Sequence, residues 1–389
     1  MSLVNRFHSG YATPSGTTNF RNLSLKKGID ESHFKHVEDM YLSSLGMGTY
    51  LGNLSETDDT NIEYSIYHSI KEGSINVIDT AINYRSMLSE RSIGRAINRL
   101  IEDKIVKRDQ IFICTKNGYF TNDGNLKKID LDSYLKLLYL DKGIITPDDI
   151  SASYNIMNPN YISNCIDRSL CNMGLNSIDL VYIHNSFESW FDQVDRSTFF
   201  EMLARVFEVY EKYREMGKLH YYGMATWNCF TARETSPNYI SLKDITKIAK
   251  DVGGQTNGFK FIQLPYNSFM TEPYKFQNQQ IDDSPQKVST LSAAVHYGIH
   301  VFTSIPLFQG RLLNLDIATT QFSNLPYQSA KLLQFVRSTP GIVAPLVGQK
   351  TLDHTNQNII VAKYPRLTSD EFDKALASFE LIKKNSSNQ

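Results

Sequence analysis

Four polar residues stand at or just beyond the ends of apolar runs. Asp79 lies in "NVIDTA" (76–81), Tyr84 follows in "NVIDTAINYRSMLSERSIG" (76–94), Lys116 ends "IFICTK" (111–116) and His184 sits near the end of "LVYIHN" (180–185). Taken singly, each has an ordinary reading: a loop-capping carboxylate, a packed phenol, an amine reaching solvent, a hydrogen-bonded core imidazole. Taken together they form an acid–base set. A free phenol has a pKa of about 10, so it is protonated at neutral pH but gives up its proton reluctantly. A neighbouring ammonium lowers that pKa by about 1 to 3 units because it stabilises the phenolate left behind. A carboxylate keeps the ammonium charged against desolvation, and an imidazole orients a substrate oxygen or assists the proton transfer. The expectation is that Asp79 serves Lys116 and Lys116 tunes Tyr84, which protonates an oxygen.

An acid aimed at an oxygen needs a group that attacks the attached carbon. There is no HExxH, no nucleophile elbow, and His8, His33 and His36 lie in a polar N-terminal segment, so no metal is expected. Cys114, Cys165, Cys171 and Cys229 form no CxxC pair and read as reduced core residues. A hydride donor would complete the site. "LVGQKTLDHTNQN" (346–358) runs through Gly348 into a helix with Thr351 as N-cap, placing Lys350 and His354 beside any anion held there. "SIPLFQGRL" (304–312) offers Gly310 and Arg311 as a second phosphate cradle. These features fit a phosphosugar as well as a dinucleotide. Lys116 also leaves open a Schiff-base aldolase, since a strand-end amine attacks carbonyls.

Positioning these groups requires strands whose ends converge. Eight short apolar runs recur, at 41–50, 76–81, 111–116, 180–185, 219–226, 261–267, 300–306 and 342–348. Their near-continuous apolar character indicates parallel strands buried on both faces. Between them, Ile93, Ala96, Ile97, Leu100 and Ile101 follow a helical template, with Ser89 expected as N-cap and Glu90 in the first turn. Gly73, Gly174, Gly217, Gly253, Gly298 and Gly341 stand where helix C-caps are expected. This rhythm predicts an α/β fold, a (β/α)₈ TIM barrel, over an open Rossmann-like sheet, because "GMGTYLG" lacks GxGxxG spacing. The interval from 111 to 180 is too long for one unit, so an insertion after strand three is expected at about 117–160, on the face where barrel sites are built. The organisation is an N-terminal extension (1–40), a barrel (41–365) and a C-terminal helix and tail (366–389).

With 40 Lys+Arg against 41 Asp+Glu, a net charge of -1 and 41% hydrophobic residues, the 389-residue chain has no global field to attract nucleic acid or an anionic membrane. No apolar run is long enough for a signal peptide or a membrane span, so a cytoplasmic protein with a small-molecule partner is expected.

"GMGTYLG", "NVIDTAINYR", "SERSIG", "ICTK", "IDLVYIHN", "GKLHYYGMATWN", "QLPYN", "PLFQGRL" and "VGQK…HTNQN" occur in the order of the aldo-keto reductase superfamily, over roughly 40–360, and the chain resembles that family. The resemblance implies an NADP(H)-dependent oxidoreductase acting on aldehydes, ketones or sugars, with the catalytic tetrad falling on Asp79, Tyr84, Lys116 and His184. It places Gly48, Thr49, Tyr50 and Gln263 at the nicotinamide, Leu307, Gln309 and Gly310 along the pyrophosphate, and Gly348, Lys350, His354, Gln357 and Asn358 around the adenosine end. Lys350 and His354 favour NADPH over NADH. Three positions depart from the family pattern: Ala225–Thr226 replace a usual Ser-Asn at the carboxamide, Ser304 replaces the stacking aromatic, and Gln357 replaces a glutamate. Thr226 and Ser304 remain assigned to the cofactor side. The altered nicotinamide surroundings leave a non-catalytic NADPH sensor or accessory subunit as the alternative. Tyr50, Tyr154 of the insertion, with Asn155 and Asn158 beside it in "SASYNIMNPNY", Trp190 and Trp227 are the candidate substrate-wall residues.

Overall fold

Alternate residues of a strand point to the same side, and this parity carries the site. In the computed structural model, which describes residues 7–126, 129–314, 322 and 324–386, eight parallel strands close into a barrel. They are β1 (Gly46–Gly48), β2 (Val77–Asp79), β3 (Phe112–Asn117), β4 (Ile178–His184), β5 (Leu219–Ala225), β6 (Phe259–Pro265), β7 (His300–Ser304) and β8 (Ile342–Gly348). Val77, Phe112, Cys114, Leu180, Tyr182, Phe261, Phe302, Ala344 and Leu346 form one buried interior cluster. Asp79 is in step with Val77, Lys116 with Cys114, His184 with Tyr182 and Gln263 with Phe261. The parity that fills the barrel with apolar side chains thus brings four polar ones to its C-terminal mouth.

Each strand is followed by an outer helix: α1 (Glu56–Lys71), α2 (Leu88–Glu102), α3 (Pro159–Met173), α4 (Arg196–Glu215), α5 (Leu242–Gly253), α6 (Thr290–His296), α7 (Gln328–Ser338) and α8 (Leu352–Ile359). Side chains of Ser55, Asn158, Asp195, Ser289 and Thr351 cap α1, α3, α4, α6 and α8. The apolar face of α2 buries Ile93, Ala96, Ile97 and Leu100. The barrel tolerates little bulk where β5 meets β6: a Cβ on Gly223 would lie 1.9 Å from the Phe261 carbonyl oxygen.

Three expectations change in the structure. The 41–50 run is not one strand, because Met40–Ser43 pairs antiparallel with Phe34–Val37 before β1 begins. The reversal is fixed by Asn76, whose side chain accepts from Ser43 N, and by Ser44 N donating to His33 O. Val37, Met40 and Leu42 of this hairpin join the interior cluster. Ser89 does not cap α2; the helix starts at Leu88, and the Ser89 hydroxyl donates to Thr49 O at 2.9 Å. Five of the six glycines take φ of 64° to 85°, but α5 runs through Gly253 and Gly254 takes the positive φ of 70°.

The stretch after β3 folds on itself and on α3. A helical segment, Leu131–Leu135, precedes Asn155, which pairs with Tyr119. Phe120, Tyr134, Tyr139 and Tyr161 pack as an aromatic cluster. Cys114, Cys165 and Cys229 are buried free thiols, whereas Cys171 is exposed. Among the described residues no helix is long and apolar enough to cross a membrane.

Candidate active site

Lys116 ends the inward-facing row of β3 and is fully buried; its Nζ donates to Asp79 Oδ2 at 2.5 Å and to Thr80 O at 2.9 Å. The second carboxylate oxygen of Asp79 accepts from Gln263 Nε2 at 2.9 Å. Burial works against the ammonium, but Asp79 and Tyr84 outweigh it and hold Lys116 above the ordinary lysine range. The lysine charge lies 4.8 Å from the centre of the Tyr84 ring. The ring of His184 meets Tyr84 edge-to-face at 5.8 Å, and its Nδ1 is buried with no hydrogen-bond partner. Burial, reinforced by Lys116, pushes the imidazole well below its ordinary pKa, so it is neutral at neutral pH.

The expected lowering of the Tyr84 pKa is not what the structure shows. Burial raises it above 10, and Lys116 pulls it back without overcoming that effect. The burial that strengthens the ammonium's field also penalises the phenolate.

Tyr84 is held in a turn whose next three residues, Arg85, Ser86 and Met87, all take left-handed φ values of 50°, 51° and 71°. For non-glycine residues this costs about 1–2 kcal/mol each. The turn survives because its surroundings hold it. Arg85 donates to Asn53 O, Ser55 O and Asp59 Oδ1, and Gly124 N donates to Ser86 O at 2.8 Å. That approach needs a glycine, since a Cβ at Gly124 would lie 2.8 Å from Leu88 Cγ. Asp123 beside it receives a bidentate pair of bonds from Arg91, at 2.6 and 2.8 Å.

Tyr50, 57% exposed, meets the Tyr84 ring at 5.0 Å. Trp227 is 47% exposed after β5. The other two aromatic wall candidates have hydrogen-bond partners within the insertion. Trp190 is 4% exposed and its indole donates to Asn155 Oδ1 at 3.3 Å, while the Tyr154 phenol donates to Asp132 Oδ1 at 2.6 Å.

Three residues make contacts here that the sequence did not foretell. Tyr119, two positions beyond β3, sets its ring 5.2 Å from His184 and its hydroxyl 3.0 Å from Ser189 Oγ. Asn155 donates to His184 O at 2.9 Å, so the insertion braces the histidine's backbone. Glu188 Oε1 accepts from Trp227 N, Asn228 N and Cys229 N at 2.8, 3.0 and 3.1 Å, which fixes the β5 loop. Tyr119 was detectable by its position after a strand end; the other two depend on long-range contacts.

The remaining candidates lie on the strand-end loops. Gly48 ends β1, and Thr49 donates to Asp79 O at 3.2 Å. Thr226 Oγ1 donates to Gln263 O at 3.3 Å, so this hydroxyl and the Gln263 amide both have internal partners. Ser304 ends β7 half-buried; Leu307 follows half-buried, and Gln309 and Gly310 form a left-handed turn with φ of 54° and 86°. Gly348 ends β8 exposed, Thr351 accepts from His354 N at 3.1 Å, and the side chains of Lys350 and His354 lie half-buried and exposed beside the first turn of α8. Gln357 donates to Asp353, and Asn358 is buried.

A closed (β/α)₈ barrel with an Asp–Lys pair, a tyrosine and a neutral histidine at its mouth defines the class of protein. The aldo/keto reductase family model matches residues 44–250, over half of the sequence, and the chain belongs to that family. Its fold is similar to an aldo/keto reductase from Klebsiella pneumoniae in complex with NADP and acetate, with a TM-score of 0.58 and 16% identity, over 90% of this chain and 95% of that one. A second structure from that organism, with NADPH, gives 0.58 and 17% over 90% and 95%. The holo form of an aldo-keto reductase from Bacillus halodurans gives 0.58 and 17% over 89% and 96%. No curated protein matches the chain.

Proposed function

We propose that this protein is an NADPH-dependent carbonyl reductase, able to oxidise the corresponding alcohol in reverse, with Tyr84 as the proton donor. The observation that carries the reading is the buried Lys116–Asp79 pair 4.8 Å from the Tyr84 ring, beside a histidine whose buried Nδ1 has no partner. The residues fit the cofactor: Lys350 and His354 beside the capped start of α8 suit a phosphate, and the Gln309–Gly310 turn exposes backbone near the end of β7. Gly48, Thr49, Tyr50, Thr226, Gln263, Ser304 and Leu307 would lie on its nicotinamide and pyrophosphate side, and Gly348, Lys350, His354, Gln357 and Asn358 at its adenosine end. Relatives of this fold from Klebsiella pneumoniae hold NADP and NADPH.

Bound NADPH would supply the hydride for the carbonyl carbon. Tyr84 Oη gives its proton to the carbonyl oxygen as negative charge develops there. Lys116 stabilises the phenolate that remains, and Asp79 keeps the buried lysine charged. Neutral His184 orients the substrate oxygen. In the reverse direction the phenolate takes the alcohol proton.

The test is NADPH consumption across aldehydes, ketones and sugar carbonyls, with Tyr84→Phe beside the wild type. Loss of nearly all turnover with intact NADPH binding is the expected result. Wild-type turnover in Tyr84→Phe would remove the proton-donor role, and NADPH binding without turnover on any carbonyl would favour an accessory or sensing protein.

A further inference from the structure

Arg85 joins two loops at the barrel mouth. Its Nε donates to Asn53 O at 2.9 Å, and its Nη2 donates to Ser55 O at 3.3 Å and to Asp59 Oδ1 at 2.6 Å. These contacts reach the loop that follows β1 and the first turn of α1. The backbone of Arg85 meanwhile starts the left-handed run that directly follows Tyr84. The side chain is 1% exposed, so its charge is committed to this link rather than to solvent.

Glycine at position 85 would adopt this conformation without strain. The sequence instead carries a residue that strains the turn and uses its side chain to tie the turn down. Strained left-handed residues persist only where their surroundings over-determine them, and they concentrate at functional sites. Here the surroundings are specific. The guanidinium fixes the turn to the β1 loop, Gly124 N donates to Ser86 O, and Ser89 Oγ ties the start of α2 to Thr49 O. The β1 loop carries Tyr50, whose ring packs on Tyr84.

We propose that Arg85 is a positioning residue: by clamping the strained Arg85–Met87 turn to the 50–55 loop, it fixes the Tyr84 hydroxyl and the Tyr50 ring in register with Lys116 and His184. The proposal rests on Tyr84 being the proton donor. A fixed acid is worth more than a nearby one, because displacement of a reacting group by about 1 Å costs on the order of 100-fold in rate.

The experiment compares wild type, Tyr84→Phe, Arg85→Gly, Arg85→Lys and Arg85→Gly/Tyr84→Phe. Steady-state kinetics on the best carbonyl substrate are read beside amide hydrogen exchange of residues 50–55 and 81–87. Arg85→Gly is expected to lower kcat about 10- to 100-fold with KM changed less than about twofold, and to speed exchange in both segments while other segments keep their protection. Added to Tyr84→Phe, it should lower the residual rate no further. Arg85→Lys keeps the charge but loses the planar fork, and should fall between glycine and wild type. Wild-type kcat and exchange in Arg85→Gly, with Tyr84→Phe inactive, would overturn the clamp and leave the acid assignment standing. Unimpaired turnover in Tyr84→Phe would overturn the acid assignment and the clamp with it. If Arg85→Gly does not fold, Arg85→Lys decides: lowered kcat at wild-type KM supports the clamp, and wild-type kcat overturns it.

Discussion

Lys116 Nζ and Asp79 Oδ2 are 2.5 Å apart, with side chains 0% and 5% exposed. Removing one partner of such a pair strands the other charge away from water, at a cost of about 3–5 kcal/mol. Asp79→Asn and Lys116→Met are each expected to lower the unfolding free energy from urea titration by that order. The double variant removes both charges, so it should be destabilised by less than the sum of the single effects. Strict additivity would show that the two groups do not depend on each other for burial.

As the proposed proton donor, the Tyr84 phenol would act while protonated, that is, below its pKa. Burial raises that pKa above 10, so carbonyl reduction should hold its kcat to about pH 9. Alcohol oxidation needs the phenolate and should climb with pH over the same range. Burial also holds His184 well below 6.5, so the neutral imidazole persists as the medium becomes mildly acidic. Lys116→Met removes the one influence drawing the Tyr84 pKa down and should move the rise in oxidation to higher pH. Rate profiles in both directions check this, and a reductive kcat that fell with a midpoint near pH 7 would contradict it.

The convergence of Asp79, Lys116 and His184 at the barrel mouth was legible because strand parity is a local rule. Val77 and Asp79, or Cys114 and Lys116, are two residues apart, and the apolar member shows which way the polar one points. Thr351 was legible as a cap for a similar local reason, with a side chain that reaches an amide three residues on. What escaped the sequence depends on distant partners. The reversal at Ser43 needs Asn76, and the commitments of Trp190 and Tyr154 need Asn155 and Asp132. The left-handed turn after Tyr84 escaped because none of its three residues is glycine, the residue that ordinarily marks positive φ. The direction of the Tyr84 shift escaped because residue types reveal the charges present but not the depth of burial that opposes them.

His33 lies at the other end of the barrel in a fully buried network. Its Nε2 faces Ser74 O at 2.8 Å, and its Nδ1 faces Arg337 Nη1 at 3.2 Å and Ser44 Oγ at 3.1 Å. A carbonyl on one nitrogen and a guanidinium on the other fix the neutral Nε2–H form. Burial first, then Arg337, lowers its pKa from 6.5 to about 3. Between those values the unfolded chain binds a proton that the folded protein refuses, so stability is full above pH 6.5 and falls as pH drops toward 3. The loss from this residue between pH 7 and 5 should be about 2 kcal/mol. Urea unfolding of wild type and His33→Gln across this range measures it, and the variant should show a shallower dependence by about one proton. Equal slopes would place the acid sensitivity elsewhere.

Lys350 and His354 test the cofactor preference. Lys350 precedes the capped start of α8, His354 lies in its first turn, and neither side chain has a carboxylate salt-bridge partner among the described residues. A 2′-phosphate at this helix start would meet the lysine charge and the positive end of the helix dipole together, whereas a 2′-hydroxyl would gain little from either. Lys350→Ala and His354→Ala are therefore expected to raise the dissociation constant for NADPH, by about tenfold for the lysine, while leaving that for NADH within about twofold. The NADPH penalty should shrink as salt rises, because an ion pair partly open to solvent is screened. Titration of cofactor fluorescence at low and high ionic strength reads both effects without turnover. Equal weakening for the two cofactors would show that these side chains support the loop without reading the phosphate.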